Sequence, residues 1–338
     1  MPFRTIAGHR RLLSLVSRAI ARGTLPPALL LAGPRGVGKR RTALAIAETL
    51  NCLDLRTSSD LETDACGACA SCKRIARGVH PDVITVEPGE TGSIKIEPVR
   101  DVIDRAQFRP FEGRRRTVIV DEADALMPAA QNALLKTLEE PPSATSFILV
   151  SSMPDALLAT VRSRCSRLRF APLAPDEVAA TLVRDHGYAE ADARAAAAEA
   201  DGSLALALEA RSVDLAAARA SAQRLLEDAA RTSDPTRRLE AAKELTAAKG
   251  SGGAGERDQL AVCLRTVSSL LRDVGILASR GDARALANAD LEPVLARLAA
   301  TFDGDRAARA FSAVDRALAA LERNASPKVV ADWLVLQI

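Results

Sequence analysis

The sequence predicts a parallel α/β domain followed by an all-helical region. Three observations carry this. Short, continuous apolar runs alternate with helical periodicity over the first 170 residues or so. The first of these runs opens straight into a glycine-rich turn. After Pro172 strand-like runs almost vanish, and eight of the twelve residues from Ala189 to Ala200 are alanine. Strands alternating with amphipathic helices imply a sheet covered on both faces.

The elements follow in order. Leu12, Leu13, Leu15, Val16, Ala19 and Ile20 recur at helical spacing, and Gly23 is placed to end that helix. Ala28–Ala32 is a continuous apolar run, the pattern of a strand buried on both faces. Thr42 to Leu50 reads as a helix. Val83–Val86 is a second strand, Thr117–Val120 a third and Phe147–Val150 a fourth, with a helix through Val99, Val102, Ile103 and Ala106. From Pro172 to Ile338 the text reads as helix after helix, broken by Gly202, by the Gly/Ser stretch at 250–255, read as a mobile loop, and by Pro293.

Composition narrows the function classes. The 338 residues are 48% apolar and 26% charged, an ordinary globular balance. Lys and Arg number 46 against 43 Asp and Glu, so charge alone does not mark a nucleic-acid binder, and any basic surface must be local. Only seven Phe, one Tyr and one Trp are present, which argues against a base-stacking module. No apolar run is long enough to span a membrane and the start lacks a signal core, so the expected location is cytoplasmic and no membrane partner is expected.

Gly33-Pro34-Arg35-Gly36-Val37-Gly38-Lys39 lies between a strand and a helix, the context of a phosphate-binding P-loop. Gly33, Gly36 and Gly38 let backbone amides turn toward phosphates, and Lys39 would reach the outer ones. The next residue should carry a hydroxyl for Mg²⁺, but it is Arg40. Thr42 cannot replace it, because two steps along a helix rotate a side chain by about 200°. The third strand ends in Asp121-Glu122-Ala123-Asp124, where Asp121 would hold Mg²⁺ and Glu122 polarise a water. An intact acidic pair beside Arg40 is a conflict that the sequence leaves open: ATP/Mg²⁺ binding stays uncertain and hydrolysis is not expected.

Four of the six cysteines, Cys52, Cys66, Cys69 and Cys72, fall within 21 residues. Four thiolates at this spacing can close a tetrahedron around a structural Zn²⁺. Cys165 and Cys263 are isolated and read as buried apolar thiols. His80 reads as structural rather than as a further ligand.

Residues 129–142, AAQNALLKTLEEPP, form an amphipathic stretch stopped by two prolines, and Ser163-Arg164-Cys165 follows about 20 residues later. With the P-loop, the DEAD segment and the N-terminal segment, these motifs resemble the clamp-loader branch of the AAA+ ATPases. The likeness covers residues 1 to about 210, and within the branch it points to the delta-prime type of bacterial DNA polymerase III. It implies an α/β P-loop AAA+ domain with a zinc-binding insertion at 1–172 (zinc module about 52–72). A small helical lid at 173–212 and an all-α collar for oligomerisation at 213–338 would follow. It implies that Arg164 is an arginine finger reaching the ATP site of a neighbouring subunit, a role suited to a fixed planar cation. It places Ser151 at the sensor-1 position, and at the sensor-2 position, after Gly202-Ser203-Leu204, it finds Ala205 where the ATPase subunits have arginine. The implied partners are gamma/tau-type and delta-type subunits in a hetero-pentamer, a sliding clamp and primer-template DNA. The alternatives are an active gamma/tau-type ATPase, a stand-alone helicase-like motor and a pure scaffold.

Overall fold

The computed structural model describes residues 2–89, 92–209, 215–232, 234–246, 253–282, 286–322 and 325–338. The chain divides into two compact units. One comprises residues 1–181 with 202–205; the other comprises 182–201 and 206–338.

The first unit is built on five parallel strands: β1 (Ala28–Ala32), β2 (Val83–Val86), β3 (Arg116–Val120), β4 (Thr145–Ser151) and β5 (Ser166–Arg169). Their order is β2-β3-β4-β1-β5. The sheet is interleaved with α1 (Arg10–Ala21), α2 (Lys39–Asn51), α3 (Ala70–Ala76), α4 (Ile96–Ala106), α5 (Pro128–Glu139) and the single turn α6 (Ala159–Arg162). Every residue of β1, β3 and β4 is buried. Alternation then sorts side chains between two faces. Leu30, Val118, Val120, Phe147 and Leu149 pack in one core with Val99 and Val102 of α4 and Leu134 and Leu138 of α5. Leu29, Leu31, Ile119, Ile148 and Val150 pack in the other with Leu13 and Val16 of α1 and Ala43 and Ile46 of α2.

The four expected strands are present, with β1 and β2 at the expected bounds and β3 and β4 longer than expected. The sequence reading missed β5. Its residues, Ser-Arg-Leu-Arg, are largely exposed because it is an edge strand with a partner only in β1, so it lacks the apolar run of an inner strand.

A buried ion pair braces the sheet edge. Asp82, fully buried just before β2, accepts the amides of Phe111 (2.7 Å), Glu112 (2.9 Å) and Gly113 (2.8 Å) and pairs with Arg116 at 3.0 Å. Arg116 also donates to the carbonyls of Phe108 (2.8 Å) and Arg109 (3.1 Å), and to that of Arg105. The loop 107–115 is thereby held from inside, while Phe108 and Phe111 at its surface are 70% and 83% exposed.

The helical text after Pro172 is borne out: no strand occurs among the described residues beyond Arg169. α7 (Pro175–His186) begins in the first unit and α8 (Glu190–Glu199) lies in the second. α9 (Leu204–Glu209), α10 (Leu215–Arg231), α11 (Pro235–Thr246), α12 (Gly253–Ala278), α13 (Glu292–Ala299), α14 (Gly304–Glu322) and α15 (Pro327–Val335) complete the chain. Leu260, Leu264, Val267, Leu271 and Val274 of α12 form the axis of one core with Leu226, Phe302, Val314 and Leu334. Part of the expected glycine loop is a correction: Gly253 and Gly255 lie in the first turn of α12, while 250–252 fall outside the described residues. Pro293 does not break a helix but sits in the first turn of α13, where its missing N–H costs nothing. The 212/213 boundary also falls outside the described residues. Among the described residues no helix is long and apolar enough to cross a membrane.

Burial pushes the Asp82 carboxyl up, but three amides and the Arg116 guanidinium outweigh it and hold the carboxyl below its ordinary range. A depressed carboxyl stabilises the fold above its unfolded pKa and loses that contribution as acid carries the pH through the folded value. Stability should therefore decline from about pH 5 downward through this group. Asp82→Asn should flatten that part of the profile, read as urea midpoint against pH, and Arg116→Ala should cost about 3–5 kcal/mol by leaving a buried carboxylate unpaired.

Candidate functional site

The carboxyl ends of β1, β3 and β4 meet where an open α/β sheet ordinarily binds its ligand. The loop after β1 runs from Gly33 into α2. Gly36 and Gly38 have φ of 76° and 101°, backbone that side chains disfavour, and Gly38 caps α2. A Cβ on Gly36 would come within 2.0 Å of the Ser203 hydroxyl and 2.8 Å of Ala205. Ala205 also donates its amide to the Gly36 carbonyl at 3.3 Å. The segment Gly202–Ala205 thus lies against the loop, and at its end stands a methyl group rather than a cation.

Lys39 is buried and folds back on its own loop. Its Nζ donates to the carbonyls of Gly33 (2.7 Å) and Pro34 (2.5 Å). Burial pushes its ammonium down to about 8, against the pull of Asp124 and Asp121. His9, unassigned in the sequence, supports the loop from beneath: its Nε2 lies 3.1 Å from the Val37 carbonyl and its ring meets Phe170 edge-on.

The conflict between Arg40 and the acidic strand end resolves in the geometry. Arg40 donates from Nη1 to Asp121 Oδ2 at 2.9 Å and pairs through Nη2 with Glu87, the residue after β2. Arg35 lies 3.8 Å from Glu122. Each carboxylate of the expected acidic pair therefore faces an arginine, Asp121 that of the first turn of α2 and Glu122 that of the loop. Thr42 donates its hydroxyl to the Gly38 carbonyl at 3.0 Å, back along its own helix. Ser151 is engaged by Asp124, whose Oδ1 accepts the Ser151 hydroxyl at 2.7 Å and the Ser152 amide at 2.9 Å. The structure thus brings together Gly33, Gly36, Gly38, Lys39, Asp121, Glu122 and Ser151. It adds Arg35, Glu87 and Asp124, whose only sequence signal was charge near a strand end.

Arg164 is positioned elsewhere. Gln131 of α5 accepts the Leu158 amide at 2.7 Å and donates to the Leu126 carbonyl at 2.9 Å, which fixes the entry into α6. Cys165 is buried in the sheet core, where burial pushes its thiol up to about 11. Between these anchors Arg164 turns outward. Its Nε and Nη2 donate to Glu139 at 3.2 and 3.0 Å, and its Nη1 donates to the Thr160 carbonyl at 3.1 Å. Glu139 belongs to the LEEPP segment, so the two motifs that carry the resemblance touch each other.

The four clustered cysteines converge as expected. Their sulfurs all lie within 4.8 Å of one another. A tetrahedral metal with ligand bonds of about 2.3 Å needs edges of about 3.8 Å, so a modest contraction closes the site. The sulfurs already accept amides: Cys52 from Cys66 (3.2 Å), Cys66 from Cys69 (3.2 Å), and Cys69 from Cys72 (3.5 Å). Burial pushes the Cys52 and Cys72 thiols up. Cys69 is raised by burial but lowered more by amides and neighbouring thiols, and falls to about 6. This is a donor set for a soft cation with no place for substrate. Arg4 clamps the module to the N-terminal segment through Asp64 (2.9 Å), the Ala65 carbonyl (2.8 Å) and the Cys66 carbonyl (2.9 Å). His80 is buried, with Ser71 and Glu112 as neighbours, and lies outside the group of four cysteines.

Comparison with known proteins agrees with the motifs. The family described as DNA polymerase III, delta subunit, matches residues 8–174. The first half of this chain is similar in sequence to gamma and tau subunits of DNA polymerase III. The tau subunit of Escherichia coli is 32% identical over 176 residues, 52% of this chain and 26% of that protein. The gamma/tau subunit of Mycobacterium tuberculosis H37Rv is 35% identical over 182 residues, 54% of this chain and 31% of that protein. The gamma subunit of Buchnera aphidicola from Acyrthosiphon pisum is 34% identical over 163 residues, 48% of this chain and 43% of that protein. The chain thus spans less than half the length of these relatives. Among solved structures, a gamma subunit-related protein of Thermotoga maritima is 17% identical, with 96% and 97% of the two chains covered and a TM-score of 0.46.

The cysteine geometry yields a test. Chain purified without chelator should carry one metal ion, measured by elemental analysis. Chelation, or Cys69→Ser, should lower the unfolding temperature of the first unit, because the binding energy of such a site is folding energy. A metal-free preparation with unchanged stability would show that the thiols hold nothing.

Proposed function

We propose that this chain is a clamp-loader subunit of the delta-prime type, which acts through its neighbours' chemistry rather than its own. In this reading it joins gamma/tau-type and delta-type subunits in a hetero-pentamer that opens a sliding clamp and closes it on primer-template DNA. Residues 1–172 are the AAA+ domain, 173–212 the lid and 213–338 the collar. The metal held by Cys52, Cys66, Cys69 and Cys72 is Zn²⁺, in a structural role. The reading rests on one contrast. The chain's own phosphate loop has its acidic partners neutralised by Arg40 and Arg35, whereas Arg164 stands at the surface on a segment anchored from both sides. Its pairing with the exposed Glu139 is the kind of surface contact that breaks at little cost.

A second reading has its own support, since the curated relatives are named gamma and tau. An active ATPase would turn over ATP as the pure chain, and Glu122→Gln would abolish that turnover. With Arg40 and Ala205 in place, the expected rate is negligible.

Arginine fingers contribute about 10³–10⁵ in rate, but other sites in such an assembly keep their own. In a reconstituted complex with clamp and primed DNA, Arg164→Ala should leave assembly intact and lower ATP hydrolysis partially. Arg164→Lys should not restore it, because a point charge lacks the planar fork. Unchanged hydrolysis and clamp loading would reduce the chain to a scaffold.

A further inference from the structure

A phosphate loop facing an acidic strand end ordinarily shares its carboxylates with Mg²⁺. The residues present here do not fit that ion. The hydroxyl position after Lys39 is Arg40, and the next hydroxyl on the helix, Thr42, is bonded back to Gly38. Both oxygens of Asp121 are engaged: Oδ2 by Arg40 Nη1 at 2.9 Å and Oδ1 by the Glu122 amide at 3.0 Å. An ion seated about 2.1 Å from Oδ2 would have to displace the guanidinium. Nor would the remaining side chains welcome it, since Arg35, Lys39 and Arg40 already crowd the same few carboxylates.

We propose that Arg40 is a tethered counter-cation that takes over the charge-neutralising work of Mg²⁺ in this site. Its guanidinium bridges Glu87, just past β2, and Asp121, just past β3. These two strands are adjacent in the sheet, so one side chain from α2 ties together the ends of neighbouring strands. Asp121 is only 8% exposed, and a carboxylate that sheltered needs a counter-charge whether or not a ligand is present. A metal ion supplies that charge only when it is bound, and chelators remove it. A covalently attached arginine supplies it at all times and at high effective concentration. Its planar fork also spans two carboxylates in a way an ammonium cannot. The site is therefore complete when empty: the loop and strand ends keep their arrangement with neither metal nor nucleotide. This inference concerns the loop alone and holds whichever assembly the chain joins.

The test uses the full chain as wild type, Arg40→Ser, Asp121→Asn and the double variant. Thermal unfolding is followed in chelator-free buffer without divalent cations and in the same buffer with millimolar Mg²⁺, so that the cysteine site keeps its metal in both, and Mn²⁺ binding is followed by electron paramagnetic resonance, with and without ADP. Wild type should unfold at the same temperature in both conditions and bind no Mn²⁺ at this site. Arg40→Ser should unfold about 2–5 °C lower without Mg²⁺, recover in Mg²⁺ and gain Mn²⁺ binding. The double variant should regain most of the lost stability without Mg²⁺ and bind no Mn²⁺, because the carboxylate that needed the cation is gone. Wild-type Mn²⁺ binding that Asp121→Asn abolishes would overturn the inference, as would an Arg40→Ser chain as stable without Mg²⁺ as wild type. If Arg40→Ser fails to fold in either condition, a folded double variant upholds the inference and an unfolded one overturns it.

Discussion

β1, β3 and β4 have no exposed residue, and this governs where chemistry can occur. A strand covered on both faces cannot present a polar side chain along its length without burying it. Polar function is pushed to the strand ends, and the order of strands decides which ends meet. β4 lies between β1 and β3, so the Ser151 end of β4 separates the glycine-rich loop from the acidic turn. Asp124 reaches across to Ser151 and Ser152, and Arg40 reaches from α2 to Asp121. Both cross-links are responses to the same constraint: charged groups gathered at one rim of an apolar sheet must find each other.

That rim was partly legible in the sequence. The loop glycines, Lys39 and the acidic turn are adjacent in the chain to the strands that carry them, so local pattern sufficed. The four cysteines were legible for the same reason, because Cys66, Cys69 and Cys72 lie within seven residues and Cys52 ends the preceding helix. What pattern could not supply was pairing across distance. Arg40 and Asp121 are 81 residues apart, and Arg164 and Glu139 are 25 apart. The sequence placed each of these side chains near chemistry, yet whether Arg40 opposed the acidic turn or completed it depends on the direction of one side chain. β5 escaped for a different reason. An edge strand needs no apolar run, and Ser166–Arg169 offers none.

The C-terminal helices show the limit of composition. Alanine-rich text fits any helix packing, whereas α12 sets Leu260, Leu264, Val267, Leu271 and Val274 at helical spacing in the core. Asp273, buried on this helix, accepts the Ala287 and Asn288 amides and the Asn288 side chain, which pins the segment leading into α13. Glycine at the start of a helix misled because a helix can begin on residues that would also suit a loop, and Gly253 and Gly255 are followed by a strongly periodic run that outweighs them.

The loop 107–115 combines a fixed interior with an unsupported exterior. Its backbone is held by Asp82 and Arg116, neither of which reaches the surface, while Phe108 and Phe111 point away from everything that shapes it. Shape and surface chemistry are thus specified by different residues. Mutation at the tip can alter what the loop presents without altering its outline, so this short segment can diverge in character between relatives while the fold beneath it stays the same.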